Sequence, residues 1–173
     1  MDVLSKVRNV PDFPKPGIQF KDITTLISDG DAFKHVIGRM ADRYRDSGLT
    51  KIVGIESRGF IFGAALAYEL GLGFVPVRKL GKLPADTIKR SYALEYGDAT
   101  VEIHRDSLDR KDRVVIIDDL LATGGTLEAA CGLVTELGAK IEEIWVLIEL
   151  AFLLGRARVS DYRIHSEAIV DAE

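Results

Sequence analysis

The sequence predicts an α/β protein: a single-domain, doubly wound parallel sheet with helices on both faces. Three observations carry that expectation. Short runs rich in β-branched residues, "KIVGI" (51–55), "GFVPVRK" (73–79), "RVVIID" (113–118) and "IWVLIEL" (144–150), alternate with helical patterns. The runs are largely continuous in apolar residues, as strands covered on both faces must be. Two of them run into loops of unusual chemistry, "ESRG" after "KIVGI" and "DDLLATGGT" after "RVVI", at the strand ends where such sheets bind ligands. The 173 residues suffice for one domain with a sizeable core.

Taken in chain order, residues 1–10 read as a short amphipathic helix with Val3, Leu4 and Val7 on one side. "PDFPKPGIQFKD" (11–22) holds three of the five prolines, so it is expected to be an extended loop. "DAFKHVIGRMADRYRDSG" (31–48) is a helix, because Phe33, Val36, Ile37, Met40, Ala41 and Tyr44 recur with helical spacing and Gly48 stops it. "FIFGAALAYEL" (60–70) is an apolar helix ended by Gly71, and "TLEAACGLVTEL" (126–137) is one ended by Gly138. "LGKLPADTIKR" (80–90) has no clear period and too few apolar positions to be held by a core, so 80–94 is expected to be a mobile lid. "SYALEYGDATVEIHRD" (91–106) reads as a β-hairpin turning near Gly97 and Asp98. Beyond Leu150 the pattern weakens, and residues 156–173 receive no assignment.

Composition excludes several classes. A net charge of −4 argues against a nucleic-acid partner held by bulk positive charge. The one cysteine, Cys131, allows no intrachain disulfide and no paired-cysteine metal motif. His35, His104 and His165 show no ligand spacing. The first residues lack an apolar run long enough for a signal peptide or a membrane span, so a cytoplasmic protein without a membrane partner is expected.

The chemistry concentrates in "VVIIDDLLATGGT" (114–126). Two adjacent carboxylates at the end of a core strand are costly unless they hold something. The glycines permit close backbone approach, and the loop opens a helix whose free N–H groups suit a phosphate. Thr123 and Thr126 add hydroxyl donors, while Asp118 and Asp119 suit the vicinal hydroxyls of a ribose. Together they describe a ribose 5-phosphate. A P-loop nucleotidase would need G-x-x-x-x-G-K-[ST], which is not present. A phosphate receiver domain would carry its acidic pair near the first strand.

On these residues the segment resembles the phosphoribosyl pyrophosphate motif of type I phosphoribosyltransferases. "FPKPGIQFKDIT", "GIESRGFIFGA", "VPVRKLGKLP", "YALEYG" and "VVIIDDLLATGGT" stand in the order of the adenine-specific branch, over roughly residues 10–155. The resemblance implies transfer of a phosphoribosyl group from phosphoribosyl pyrophosphate to adenine, giving AMP and pyrophosphate, by a homodimer. It implies Mg²⁺ held mainly by substrate, with no direct protein ligand. Asp118 and Asp119 would hold the ribose hydroxyls, and Ala122, Thr123, Gly124, Gly125 and Thr126 the 5′-phosphate. Glu56, Ser57, Arg58 and Gly59 match a pyrophosphate loop whose peptide is often cis. Arg78, Lys79 and Lys82 match further pyrophosphate-side cations. An N-terminal hood, residues 1–30, would carry the base site. There Gln19 and Lys21 would read adenine through their backbone, Phe20 would stack on it, and Leu150 would cover its other face. The family pattern has an apolar residue and an arginine where this chain has Gln19 and Lys21. Glu95 and Arg58 would be catalytic, with Glu95 handling protons on the base. A hypoxanthine–guanine or orotate transferase and a non-catalytic purine sensor are the alternatives.

Overall fold

A computed structural model describes residues 1–93 and 97–172. The chain forms β1 (Arg8–Pro11), β2 (Gln19–Asp22), α1 (Thr24–Ser28), α2 (Gly30–Tyr44), β3 (Lys51–Ile55), α3 (Arg58–Leu70), β4 (Gly73–Lys79), β5 (Thr87–Ala93), β6 (Asp98–His104), β7 (Arg113–Leu121), α4 (Gly125–Glu136), β8 (Lys140–Leu150) and β9 (Ile164–Val170). The main sheet is seven-stranded, ordered β5-β6-β4-β3-β7-β8-β9. From β4 to β9 in that order neighbours run parallel, and the β5–β6 hairpin adds to β4 antiparallel.

Burial on both faces follows from the strand alternation. Val114 and Ile116 point into one core with Leu127, Ala130, Leu133 and Val134 of α4. Val115 and Ile117 point into another with Val36 and Met40 of α2 and Phe62 and Leu66 of α3. Helix α2 starts where Asp29 accepts a hydrogen bond from the Ala32 N–H at 3.1 Å. It ends on the buried Glu143 of β8, which accepts from Arg43 Nε at 2.6 Å, Arg43 Nη2 at 2.7 Å and the Tyr44 hydroxyl at 2.6 Å. Among the described residues no helix is long and apolar enough to cross a membrane.

The order places β4 on one side of β3 and β7 on the other. The loops that leave β3 and β7 therefore diverge from adjacent strands, and a crevice opens between them.

Two expectations are corrected, for residues 1–10 and for the loop 11–22, and two further segments gain definition. Residues 1–10 are not one helix: a 3-10 turn at Leu4–Lys6 leads into β1, which pairs antiparallel with β2 inside the stretch expected to be loop. The apolar stripe is nonetheless real, since Val3 is buried and Leu4 and Val7 pack beside it. The prolines at 11, 14 and 16 rule out helix, so the backbone there satisfies itself across a two-stranded ribbon. Residues 80–93 are better anchored than their few apolar positions suggested. The Lys82 and Leu83 N–H groups donate to the buried Glu102 at 3.0 Å each, Ile88 is buried, and β5 lies in the sheet. Finally, 156–173 holds β9, an edge strand parallel to β8. Its side chains are mostly half-buried, which blurs the pattern that a buried strand shows.

The ion pair that closes α2 onto β8 predicts a pH dependence. Burial works to raise the Glu143 pKa, but hydrogen bonds from Arg43 and Tyr44 outweigh it and the carboxyl lies below its usual range. A depressed native value gives stability that is complete above the usual carboxylate range and lost as pH falls through the native value. Glu143→Gln should therefore cost about 2 kcal/mol at neutral pH. Its Tm deficit against wild type should shrink as pH falls below about 4. A deficit that stays constant on acidification would locate the loss in packing and not in charge.

Candidate functional site

The crevice is a cavity of about 330 Å³. Its walls come from the turn between β3 and α3 (Glu56, Ser57, Arg58), the end of β7 with the loop and first turn of α4 (Asp118 through Leu127), Lys79 at the end of β4, Tyr92 of β5 and Val101 of β6. Sequence positions far apart meet here because parallel strands deliver their carboxyl ends to one edge of the sheet.

The acidic pair sits at the end of β7. Asp118 and Asp119 are both buried, and the Asp119 N–H donates to Asp118 Oδ1 at 2.9 Å. Burial and the neighbouring Asp119 charge push the Asp118 carboxyl well above the usual carboxylate range. Arg58 answers the charge, with its Nε donating to Asp119 Oδ2. Arg58 can do so because α3 begins against β7. A Cβ on Gly59 would stand 2.6 Å from the Ile117 carbonyl oxygen and 3.1 Å from Asp118 Cα, so only glycine lets the first turn come this close. The Glu56–Ser57 peptide just before it is cis, as is Phe13–Pro14 in the N-terminal loop.

Beyond the pair, Gly124 takes φ +86° and caps α4, a left-handed conformation that side chains disfavour. The N–H groups of the first turn of α4 lack intrahelical partners by construction and open towards the cavity loop. Ala122, Thr123, Gly124, Gly125 and Thr126 all line the cavity. The arrangement offers two carboxylates for hydroxyl groups, a helix start for an anion and a guanidinium paired with one of the carboxylates.

Other expected residues lie elsewhere. Arg78 and Lys82 are not in the cavity wall. Arg78 forks onto Glu56 at 3.2 and 3.3 Å and donates from Nη1 to the Lys82 carbonyl at 3.1 Å. Glu56 also accepts from the Lys79 N–H at 2.9 Å. Burial works to raise the Glu56 pKa, and these donors outweigh it and lower it. Gln19, Phe20 and Lys21 lie on β2, outside the cavity wall, as does the buried Leu150 at the end of β8. The Arg58 guanidinium stands 5.6 Å from the Phe20 ring centroid, so one side chain joins the acidic pair to the β2 aromatic. Phe13 packs edge-on to Phe20 at 5.1 Å, and Lys21 Nζ donates to Asn9 Oδ1 at 2.7 Å. Glu95 lies outside the described residues.

Two features went unread in the sequence. Tyr92 lines the cavity, although the aromatic of "YALEYG" was a visible signal. Gly155 touches the Gly124 backbone from behind, and a lone glycine in "LLGRAR" gave no sign of that long-range contact.

Comparison with known proteins gives this geometry a context. The family model for the phosphoribosyl transferase domain matches residues 24–170. An adenine phosphoribosyltransferase of Roseiflexus castenholzii is 59% identical over 160 residues, covering 92% of this chain and 93% of its own. The crystal structure of adenine phosphoribosyltransferase from Thermoanaerobacter pseudethanolicus superimposes with a TM-score of 0.93 at 49% identity, over 97% of this chain and 98% of that one. The Saccharomyces cerevisiae enzyme, crystallised with adenine and an imino-altritol bisphosphate, gives a TM-score of 0.90 at 37% identity, over 95% of each chain.

The close approach at Gly59 yields a direct test. Gly59→Ala must push α3 off the end of β7 and pull Arg58 from Asp119. Overpacking of this kind costs about 1–3 kcal/mol, so Tm should fall by several degrees. An unchanged Tm would mean that the approach of α3 to β7 has slack.

Proposed function

The chain belongs to the phosphoribosyl transferase family, and we infer that it transfers the 5-phosphoribosyl group from phosphoribosyl pyrophosphate to adenine, giving AMP and pyrophosphate in purine salvage. The carrying observation is the cavity in which the acidic pair, the helix-opening loop and Arg58 meet. Asp118 and Asp119 accept hydrogen bonds from the ribose hydroxyls. The loop from Ala122 to Thr126 takes the 5′-phosphate on its N–H groups and hydroxyls. With both ends of the sugar held, C1′ is oriented for displacement and the entropy of alignment is met by binding.

The bond from C1′ to the pyrophosphate oxygen breaks as positive charge develops on the sugar. Arg58 and Lys79 stand in the cavity wall as cations for the departing oxygens. Glu56, Ser57 and Gly59 shape that loop, and Arg78 supports it through Glu56. Lys82 joins the same cationic side.

The donor set fits Mg²⁺ carried by substrate. The carboxylates on the cavity wall are hard oxygen groups, compatible with an ion held mainly by substrate. When bound, the ion neutralises charge on the pyrophosphate.

The base is read from β2. Adenine presents an amino donor beside a ring acceptor, and the backbone of Gln19 and Lys21 complements that pair while oxopurines reverse it. Phe20 stacks on one face and Leu150 covers the other. Glu95 handles the proton that leaves the ring as N9 attacks. Residues 1–30 serve as hood and 80–94 as a lid that excludes water. A homodimer in the cytoplasm completes the proposal. Tyr68 on α3, 89% exposed, is apolar surface that a second copy would cover, and the buried free Cys131 suits a reducing compartment.

Incubation with phosphoribosyl pyrophosphate, Mg²⁺ and each nucleobase tests the reading. AMP should form, and kcat/KM for adenine should exceed that for hypoxanthine, guanine, xanthine and orotate by about 10²-fold or more. Comparable turnover of hypoxanthine would overturn the base assignment. Asp118→Asn and Asp119→Asn should each lose about 1.5–3 kcal/mol of ribose binding, roughly 10–100-fold in kcat/KM for phosphoribosyl pyrophosphate. Glu95→Leu should lose about 10²–10⁴ in kcat with little change in that substrate's affinity. Wild-type kinetics in any of these variants would remove that residue from its role.

A further inference from the structure

The turn that follows β8 lies directly behind the phosphate loop. A Cβ on Gly155 would collide with the Ala122 carbonyl and stand 2.9 Å from the Gly124 nitrogen. Reciprocally, a Cβ on Gly124 would collide with the Gly155 carbonyl and stand 3.3 Å from Arg158 Cβ. Two backbones therefore touch with no side chain between them, and neither can move inward without displacing the other.

The turn is itself held rigidly. Arg156 Nε donates to Glu149 Oε1 at 2.9 Å, and Nη2 donates to Glu149 Oε2. Arg156 also reaches Ser166 Oγ at 3.2 Å and the Ile164 carbonyl at 3.4 Å. The Ser166 hydroxyl donates to Glu149 Oε2 as well. Glu149 is buried at the end of β8, and Ser166 and Ile164 belong to β9. One guanidinium thus ties the turn to two strands of the sheet. A fork held at this many points cannot be replaced by a lysine, which has one donor group and no plane.

We propose that the turn Gly155–Val159 is a positioning element for the 5′-phosphate of phosphoribosyl pyrophosphate, with Arg156 and Glu149 as its lock. The inference rests on the reading of 122–126 as the phosphate loop. Gly155, Arg156 and Glu149 are absent from the cavity wall, so they act on substrate only through the position of the loop. The phosphate is gripped by N–H groups of fixed direction, and the turn fixes that direction from behind. A displacement of about 1 Å in such a cradle costs on the order of 10²-fold.

Steady-state kinetics on the full chain separate positioning from plain stability. Gly155→Ala, Arg156→Lys and Ser166→Ala are compared with Arg43→Ala, which breaks a buried ion pair at the opposite end of the sheet. The first two should raise KM for phosphoribosyl pyrophosphate by about 10–100-fold and Ser166→Ala by less. KM for adenine should stay within about threefold. Ribose 5-phosphate, titrated calorimetrically, should lose affinity by the same factor. Arg43→Ala should lower Tm while leaving both KM values in place. If Gly155→Ala does not fold, Arg156→Lys and Ser166→Ala carry the same readout. The proposal fails if Arg156→Lys shifts KM for phosphoribosyl pyrophosphate no more than Arg43→Ala does, or if both KM values rise together. Wild-type protein that makes no AMP would instead overturn the functional reading, so the two failures are distinguishable.

Discussion

Two carboxylates at the end of a buried strand constrain everything around them. Asp118 and Asp119 continue the apolar run of β7 into the interior, where an isolated charge is not tolerated. The surroundings answer in three ways. A backbone N–H bonds Asp118, Arg58 pairs with Asp119, and the first turn of α3 brings its positive end against Asp118. The last of these requires Gly59, because any side chain there would meet the β7 backbone. Where α3 begins thus follows from where the charges are. The start of α3 in turn fixes the loop before it and aims Arg58 between the acidic pair and Phe20.

Much of this was legible in the sequence for a definable reason. Strands such as "KIVGI" and "RVVIID" are buried on both faces, so their composition alone declares them. The α2 stripe is periodic because one face meets the core. What escaped notice depends on partners distant in sequence. Residues 8–11 form a strand only because 19–22 pair with them. The segment 80–93 is held by the carboxylate of Glu102, and no local pattern announces that four donors will converge on it. The edge strand β9 shows little because it buries little.

The same distinction divides the site. Asp118 to Thr126, Glu56 to Arg58 and Lys79 meet because three adjacent parallel strands, β7, β3 and β4, deliver them. Arg78 and Lys82 carry the same charge in the same segment, yet Arg78 is spent on Glu56. Sequence cannot separate a cation paired within the protein from one facing a cavity, since the pairing is decided by a rotamer and a neighbour twenty-two residues away. Gly155 is the extreme case, a residue whose importance lies wholly in a backbone it meets across the fold.

Strand β8 shows how stability and positioning can be divided along one element. It carries a buried glutamate near each end, Glu143 and Glu149, and each holds an arginine in a fork. Glu143 joins β8 to α2 at the edge remote from the cavity, where its ion pair anchors the helix to the sheet. Glu149 lies at the carboxyl edge, and its arginine holds the turn behind Gly124. Identical chemistry thus does different work according to which end of a parallel strand it occupies. The polarity of the sheet makes the division possible, because parallel strands gather their carboxyl ends, and with them the acidic pair, the helix-opening loop and Arg58, on one side.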